Sequence, residues 1–555
     1  MSGLKPDDRF SCLGSEEKPF VLICSSIGLH EAVVVHDSTI ANALKVRGAR
    51  TEVLLCDGVL PACEACMYYS IDEEVMIFDG PQPCLCKGCF WHGQKRMIRA
   101  GLVVHRYGDF FHPLWRKEAR RIVEPLRTEN ELRAFVFEDL AVGEEAYAGV
   151  LRYYAVGDLS GQGNSMALLR RYLESAILTV WLVKKAFESL KPDVMMSHHG
   201  IYVPQGVIGK LARKMGIRVV NWAVGYRKKT FIYSHGDTYH RTMINEPVNL
   251  WRDRQLSDHE RNTIVDYLER RKNGSSDWVK VCQEPEESKE IIRQTLGLDK
   301  RPVVLLLTNV TWDAQLYYKN NGFPSLVDWL KYSIRYFENR PDCQLVVRVH
   351  PAEVRGAMPS RQPVLNELKK YFSAFPVNVK VVSPNSNMST YVLADMADCV
   401  IIFGTKTGVE LAAKGIPVIV AGEAWIREKG LTIDVKTEGE YKDVLDKLPL
   451  RKTMSGMQTD LALRYAYHYF FRRLIPVSVF KDLSDVESPL KRISLRAKRA
   501  IVRRRVPGFL PACFSFDSRK IDALQEGKDL GLDVICRGIL SGSEFVYDEE
   551  GEHAV

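Results

Sequence analysis

Short apolar runs alternate with stretches of helical spacing along most of the first half of the chain. The apolar runs lie at 20–26, 51–58, 193–200 and 217–225, and helices are predicted at about 33–47, 166–190 and 203–215. Short continuous apolar runs are typical of strands that are buried on both faces of a parallel sheet. The alternation therefore predicts a Rossmann-like domain over 19–250, in which the sheet resumes after an insertion.

The same alternation begins again at Pro302. Its apolar runs lie at 303–308, 344–351, 378–384, 399–404 and 417–423, with helices predicted at about 324–338 and 362–373. We predict a second Rossmann-like domain over 301–476, joined to the first by a charged connector of solvated helices at 251–300. The predicted fold class is α/β, with two doubly wound domains facing a cleft at the C-terminal ends of their strands. The aromatic stretch 457–475 is predicted to be a packing helix that ties the chain back onto the body.

Length and charge narrow the class of protein. The chain has 555 residues, of which 46% are hydrophobic and 26% charged, and this composition excludes disordered and fibrous proteins. The net charge of +8 comes from one stretch, 491–505, which carries eight Lys and Arg and no acid. The remaining 69 Lys and Arg balance the 69 Asp and Glu, so no nucleic-acid partner is expected.

The ends of the chain bear on its location. The N-terminal extension 1–18 has no cationic segment followed by an apolar run, and no apolar stretch approaches the roughly 20 residues of a membrane span. Several of the 13 cysteines lie in strand-like runs, as reduced thiols do, so we expect a cytoplasmic protein. The basic segment 491–505, within the otherwise acidic region 477–555, predicts peripheral attachment to the anionic inner face of the membrane. A solvated helix paired with the acidic tail is the alternative.

Six cysteines cluster within 34 residues of the first domain. Cys63 and Cys66 form one CxxC pair, and Cys86 and Cys89 form a second pair after 19 intervening residues. Two such pairs are typical of a four-thiolate zinc site, with an iron–sulfur cluster as the second choice. We therefore predict that 56–100 is a cysteine-rich insertion with a structural metal.

Two motifs in the second half place polar groups at strand ends. The run at 344–351 ends in Arg348 and His350, with Glu353 just after it, and cationic donors at that edge suit a phosphate. A strand-end salt bridge and a turn-capping histidine are the alternative interpretation. The second motif, 403–423, delivers a Gly/Thr-rich turn to a helix start, where free N–H groups favour an anion. It is not the phosphate loop of ATPases, and an ordinary tight turn is the alternative.

Together, the R-x-H-P strand end and the G-T-K-T-G-V-E helix start resemble the signature of the capsule polysaccharide biosynthesis family of GT-B-like glycosyltransferases. Further similarities lie at 307–315, 422–430 and 465–476, and the resemblance extends over about 20–475. It implies transfer of a sugar from a nucleotide-activated donor to a surface polysaccharide or lipid-linked glycan.

The resemblance also implies roles for individual residues. Arg348 and His350 would meet a donor phosphate, and Glu410 would meet the ribose. Further donor or acceptor contacts are expected from residues at the strand ends: Thr405, Lys406, Thr407, Gly408, Asn309, Thr311, Trp312, Glu353 and Glu423.

A general base for the acceptor hydroxyl is expected from the first domain. His30 and Glu31 follow the first apolar run, and His199 follows the run at 193–200. A histidine titrates near working pH, whereas the pKa of a glutamate must be raised before it can serve, so the two histidines rank equally and ahead of Glu31. Hydrogen bonding within a loop is the alternative role for each histidine.

Fold does not fix the reaction. A sugar or polyol phosphotransferase, or an epimerase, on the same fold is the second hypothesis. A non-catalytic, metal-binding assembly factor is the third.

Overall fold

Two sheets organise the computed structural model, one mainly parallel with an antiparallel edge and one entirely parallel. The structure describes residues 18–67, 71–81, 83–272, 277–278, 285–312, 321–356, 358–450, 454–483 and 512–549. The basic segment 491–505 and nearly all of the N-terminal extension lie outside the described residues, so membrane attachment through 491–505 stays a prediction.

The first domain is a twisted sheet with helices on both faces. Its strands are β1 (Phe20–Ile23), β2 (Arg50–Leu55), β3 (Val103–Arg106), β4 (Val136–Phe137), β5 (Leu140–Ala141), β6 (Val194–His198), β7 (Arg218–Val224) and β8 (Thr230–His235). Its helices are α1 (Glu31–Val46), α2 (Glu73–Phe78), α3 (Pro83–Arg99), α4 (Leu114–Val123), α5 (Glu129–Arg133), α6 (Gly143–Tyr154), α7 (Ser165–Leu190), α8 (Gln205–Lys214) and α9 (Tyr239–Ile244). Strands β4 and β5 form a separate small hairpin. The predicted strands and helices of this half are all present.

The order of strands in the first sheet creates a crevice. The order is β8-β7-β6-β1-β2-β3, and β1 pairs in parallel with both β2 and β6. The chain thus leaves β1 toward β2 on one side and returns as β6 on the other. Ligands of open α/β sheets bind outside the strand ends at such a reversal. The loops after β1 and β6 carry His30 and His199, so both candidate bases lie at the crevice.

The second domain repeats this architecture. Its strands are β9 (Val303–Leu307), β10 (Gln344–Arg348), β11 (Val379–Val382), β12 (Cys399–Ile402), β13 (Val418–Val420) and β14 (Ile433–Asp434). Its helices are α10 (Asp258–Arg271), α11 (Lys289–Leu296), α12 (Leu326–Glu338), α13 (Ala352–Arg355), α14 (Val364–Lys369), α15 (Thr390–Asp395), α16 (Thr407–Ala412), α17 (Glu438–Leu445) and α18 (Gly456–Tyr467). The order β11-β10-β9-β12-β13-β14 is entirely parallel and reverses between β9 and β12. The two predicted Rossmann-like domains are therefore confirmed.

The charged connector is not simply solvated. Helix α10 buries Ile264, Tyr267 and Leu268, which lie three and four positions apart and so share one face. This face packs with the second domain's core and contacts α18. This short apolar stripe was not recognised in the sequence because charged residues surround it. The last residue of α10, Arg271, lines the cavity of the second domain.

The chain returns to the first domain after α18, as the aromatic stretch predicted. A π-helical turn (His468–Arg473) leads into β15 (Ile475–Pro476), which pairs antiparallel with β8. The described tail adds an antiparallel pair of strands, β16 (Phe480–Asp482) and β17 (Phe514–Phe516), and then α19 (Leu530–Ser541). Both β17 and α19 pack with α1. The tail, for which the sequence suggested no fold, is thus part of the first domain's core. No helix in the described part of the chain is both long enough and apolar enough to cross a bilayer.

Candidate functional site

A cationic cavity lies at the reversal point of the second sheet. Its lining includes four side chains that carry positive charge, Arg271, Lys272, Arg348 and Lys406, and one described carboxylate, Asp277. The cavity volume is about 180 Å³. Pockets for whole drug-sized ligands span roughly 300–1,000 Å³, so this cavity has room for only part of a large donor. Its charge favours the anionic part.

Arg348 is held as the first motif requires. It is the last residue of β10 and is buried, and its Nη1 and Nη2 donate hydrogen bonds to the backbone carbonyls of Ser383 and Ser386 at 2.5 and 3.1 Å. Backbone carbonyls orient a guanidinium without cancelling its full charge. Arg348 therefore presents a fixed cation to the cavity.

His350 lines the cavity beside Arg348. The ring Nδ1 of His350 accepts a hydrogen bond from the backbone N–H of Ala352 at 3.0 Å. The backbone N–H of His350 donates to Oγ1 of Thr308 at 2.9 Å. Because Nδ1 acts as an acceptor, the neutral ring carries its proton on Nε2. His350 is thus set up as a hydrogen-bond donor for an oxyanion.

Glu410 lies beneath this cavity and not in its lining. The hydroxyl of Tyr391 donates to Oε2 at 2.6 Å, while Arg271 Nε and Lys406 Nζ approach the two carboxylate oxygens at 3.1 Å each. Burial alone would raise the pKa of Glu410, but the Arg271 and Lys406 charges outweigh it and lower the pKa to about 2. Glu410 thus anchors two cations, and the ribose contact expected for it stays a prediction.

The Gly/Thr-rich turn divides into ligand-facing and packing residues. Thr405, Lys406 and Thr407 line the cavity, and the two threonine hydroxyls lie 3.2 Å apart. Gly408 is buried, and a Cβ there would lie 2.5 Å from Cδ1 of Ile402. The glycine therefore serves helix packing. Helix α16 is only six residues long, so the side-chain cations contribute more positive charge to the cavity than the helix dipole does.

Lys406 also links the two domains. Its Nζ lies 4.2 Å from the ring centre of Tyr226, which follows β7 of the first domain. Burial is the main cause that lowers the pKa of Lys406, and the neighbouring Arg271 adds to it. A cation–π contact with a partly exposed tyrosine stabilises the domain arrangement modestly.

Glu353 has a structural partner. It is buried, and its Oε1 accepts a hydrogen bond from the N–H of Val364 at 2.8 Å, at the start of α14. Burial raises the pKa of this carboxyl. The carboxyl thus caps a helix, and a substrate contact for Glu353 stays a prediction.

The loop after β9 reaches the first domain. The Arg152 guanidinium, near the end of α6, lies 5.7 Å from the Trp312 ring, and a Cβ on Gly157 would lie 3.1 Å from Cβ of Thr311. Buried polar atoms of Asn309, Thr311 and Trp312 have no hydrogen-bond partner among the described residues. These three predicted contact residues therefore line the boundary between the domains.

The loop after β13 reaches the same boundary. Glu423 is buried, and its N–H donates to Oδ1 of Asn321 at 2.8 Å. Trp425 is also buried, with its ring centre 5.3 Å from that of Tyr469 and 6.1 Å from that of His240. Trp425 thus packs between the domains.

Four histidines meet on the first-domain side of this boundary. The ring centres of His30 and His198 are 5.4 Å apart, those of His198 and His199 are 5.5 Å apart, and those of His199 and His240 are 5.4 Å apart. These distances define what we call the histidine cluster: His30, His198, His199 and His240. Both predicted bases therefore belong to one constellation, to which β6 and the segment after β8 add two further rings.

The pKa values of His30, His198 and His199 lie below the value near working pH that was expected for a histidine base. Burial, aided by the Arg152 charge, lowers the pKa of His30 to about 4. Burial and neighbouring histidines lower the pKa of both His198 and His199 well below the ordinary value. The rings of His30, His198 and His199 are therefore neutral at pH 7 and able to accept a proton, although as weaker bases than an exposed histidine.

His199 is the best placed acceptor of the cluster. Its Nδ1 is buried and has no hydrogen-bond partner among the described residues. Its backbone has a φ of 65°, in the left-handed region that costs a non-glycine residue about 1 kcal/mol or more. A Cβ on the next residue, Gly200, would lie 2.4 Å from Oδ1 of Asn221, so the loop tolerates only glycine there. Such strain at a strand end is typical of functional loops.

Arg152 is the main residue that the motifs missed. Its Nη1 donates to the hydroxyl of Tyr202 at 2.8 Å, and its guanidinium lies near both the histidine cluster and Trp312. The sequence feature that could have indicated Arg152 is that it is the one Lys or Arg in α6. Glu31, the third candidate base, accepts a hydrogen bond from the N–H of Ala512 at 3.0 Å, so the tail engages this carboxylate.

The cysteine-rich insertion lies between β2 and β3, as predicted. The Sγ atoms of Cys63 and Cys66 are 4.0 Å apart, close to the separation of two thiolates on one zinc ion. However, the described residues include no group of three or more His, Cys, Asp or Glu side chains that could hold a metal ion. We therefore assign no metal chemistry to the protein, and zinc stays a prediction from the spacing.

Comparisons with known proteins address the family. No curated protein matches the chain. Among solved structures, the beta Kdo 2,4 transferase of Thermosulfurimonas dismutans KpsC is 14% identical, with coverage of 49% of this chain and 79% of its own and a TM-score of 0.33. The UDP-GlcNAc 2-epimerase of Neisseria meningitidis is 10% identical, with coverage of 81% and 97% and a TM-score of 0.25. These scores are too low to support an inference about chemistry.

A family model gives the stronger match. Residues 238–463 match the model described as capsule polysaccharide biosynthesis protein, and this range includes every residue that lines the cationic cavity. Over 238–463 the chain is therefore similar to the capsule polysaccharide biosynthesis family, and the resemblance indicated by its motifs is confirmed.

Proposed function

We propose that this protein is a glycosyltransferase that moves a sugar from a nucleotide-activated donor to a surface polysaccharide or glycolipid acceptor. One observation carries the proposal: aromatic rings at the domain boundary connect the cationic cavity of the second domain to the histidine cluster of the first. Nζ of Lys406 lies 4.2 Å from the ring centre of Tyr226, and the ring centre of Trp425 lies 6.5 Å from that of Tyr226 and 6.1 Å from that of His240. Transfer needs both an anion site for the donor phosphate and a proton acceptor for the attacking hydroxyl.

The donor phosphate binds in the second-domain cavity. Arg348 and Nε2–H of His350 contact its oxygens, and the hydroxyls of Thr405 and Thr407 complete the ring of donors. Arg271 adds charge from the connector. These groups also stabilise the phosphate as it leaves, because negative charge grows on its oxygens when the bond to the sugar breaks.

The acceptor hydroxyl is activated by the histidine cluster, with His199 as the base. As the acceptor oxygen bonds to the anomeric carbon, its proton passes to the imidazole, and the bond from that carbon to the phosphate oxygen breaks. The electron pair of the broken bond leaves with the nucleotide. A general base of this kind contributes about 100- to 10,000-fold to the rate.

The test is a panel of CMP-, UDP- and GDP-sugars, incubated with purified protein and candidate acceptors and followed by mass analysis of the products. A transferase releases free nucleotide and adds one glycosyl mass to the acceptor. Transfer of a phosphate mass would identify a phosphotransferase, and a changed sugar still bound to nucleotide would identify an epimerase. Nucleotide binding without turnover of any donor would favour the non-catalytic assembly factor.

A further inference from the structure

A second basic surface lies on the first domain, away from the sheet that carries the cationic cavity. A groove of about 510 Å³ runs between α1, α3 and the segment after β17. Lys95, Arg96 and Arg99 line it, and no carboxylate does. We call this surface the α3 groove.

The cations of the α3 groove are not neutralised by nearby acids. Among the described residues, none of the three forms an ion pair within 4.0 Å, and Nε of Arg96 is buried without a hydrogen-bond partner. Glu31 influences Arg96 only at longer range. Helix α3 as a whole carries four Lys and Arg residues and no acid. An uncompensated positive surface of this kind needs an anionic partner.

Apolar side chains lie exposed beside the groove, and their contact with water is unfavourable. Trp91, Ile98 and Ile521 are 59%, 57% and 59% exposed. Trp91, Lys95 and Ile98 lie four and three positions apart, so they share the outer face of α3. Basic residues interleaved with tryptophan and isoleucine on one helix face are typical of a helix that lies in the interface of an anionic membrane.

Strand β17 forms one end of the groove. Phe516 of β17 lines the α3 groove, and β17 pairs with β16. A partner that carries negative charge beside an apolar region matches both the cations and the exposed apolar side chains of α3.

We propose that the α3 groove binds the phosphate headgroup of an anionic phospholipid and docks the protein on a membrane surface. Lys95, Arg96 and Arg99 contact the phosphate, while Trp91 and Ile98 enter the interface. This site is separate from donor binding and from the basic segment, and neither of those contacts is required for it.

The experiment is co-sedimentation of the full chain with phosphatidylcholine vesicles, with and without phosphatidylglycerol. The variant Lys95→Gln/Arg96→Gln/Arg99→Gln is compared with Lys300→Gln/Lys369→Gln/Lys447→Gln, which removes three exposed lysines from the second domain. We expect binding only to phosphatidylglycerol vesicles, weakened about tenfold or more by the groove variant because each cation near such a surface contributes to attachment. The control variant should bind like wild type.

Trp91→Phe gives a second readout that does not depend on charge. Brominated phosphatidylglycerol should quench part of the tryptophan fluorescence of wild type, and that part should be lost in the variant. Equal vesicle binding by the groove variant and its control, or no binding by wild type, would overturn the proposal. So would a soluble acidic oligosaccharide such as oligogalacturonate that binds the groove when vesicles do not, because the site would then be one for acidic glycans.

Discussion

Arg271 Nε lies 3.1 Å from Oε2 of Glu410 in a buried ion pair, and this contact joins the connecting helix α10 to the Gly/Thr-rich turn of the second domain. Removal of one partner from a buried pair leaves an unpaired charge, which is costly. We therefore expect Glu410→Gln to lower the free energy of unfolding by about 3–5 kcal/mol, measured by urea denaturation.

The control for this variant is Asp446→Asn, at a pair with Lys442 that is half-exposed. Solvent screens such pairs, so the urea midpoint should not change measurably. If the two variants had equal effects, the Glu410 carboxylate would not be the anchor of the cavity cations.

Asp37 should make stability fall as pH rises. Burial raises its pKa to about 7 from an ordinary 3.8, despite hydrogen bonds from Ser25 and Trp222. The folded protein binds this proton more tightly than the unfolded chain, so the stabilisation is complete below about pH 3.8 and is lost as pH rises through about 7. The total effect is on the order of 4 kcal/mol.

The measurement for Asp37 is a series of urea denaturations across that pH range. Asp37→Asn keeps a neutral side chain of the same shape, so its stability profile should be flatter than that of wild type. An unchanged slope in the variant would mean that Asp37 is ionised in the folded protein at pH 5.

His199→Gln should lower the rate of transfer by about 100- to 10,000-fold and leave the donor dissociation constant unchanged, because the base does not contact the donor phosphate. His112→Gln, at an exposed histidine, is the matched control and should keep full activity. If His30→Gln lost activity and His199→Gln kept it, the assignment of the base would move to His30.

The Arg152 charge should contribute to the position of the acid limb of the pH–rate profile. Burial is the main cause that lowers the pKa of His30, His198 and His199, and the Arg152 charge adds to it, so the wild-type limb should lie below the ordinary histidine value of about 6.5. Arg152→Gln should move the limb toward higher pH. Arg170→Gln, which loses only a bond to a backbone carbonyl, should not move it. If the acid limb lay at the same pH in wild type, Arg152→Gln and Arg170→Gln, this electrostatic role of Arg152 would be excluded.

Metal analysis of freshly purified protein tests the cysteine pairs. The spacing predicts about one zinc per chain, lost in Cys63→Ser/Cys66→Ser but kept in Cys343→Ser, whose thiol is buried in the second domain. Absence of zinc from wild type would mean that the insertion folds with free thiols.

The strands of both sheets and the cavity edge could be predicted from the sequence because buried strands leave a simple signal. The run that ends at Arg348 is fully buried in β10, and its position at a sheet edge follows from the parallel fold. His30 and His199 were found by the same argument.

Residues that reach the site from elsewhere could not be predicted in this way. Arg271 belongs to a charged helix, and only tertiary packing directs it to Glu410. For the same reason, the strand-to-helix motif that contains Glu410 does not reveal the cation that another helix supplies to it. The low pKa of His30 also depends on burial by segments far away in sequence.

Isothermal titration of CMP-, UDP- and GDP-sugars tests the central claim that the second-domain cavity binds a nucleotide-activated sugar. The variants are Arg348→Gln and, as control, Arg335→Gln on the exposed face of α12. We predict that wild type binds one class of nucleotide sugar, that Arg348→Gln weakens binding about tenfold or more through loss of charge-assisted hydrogen bonds, and that the control is unchanged. No binding by wild type, or equal binding by folded Arg348→Gln, would contradict the account.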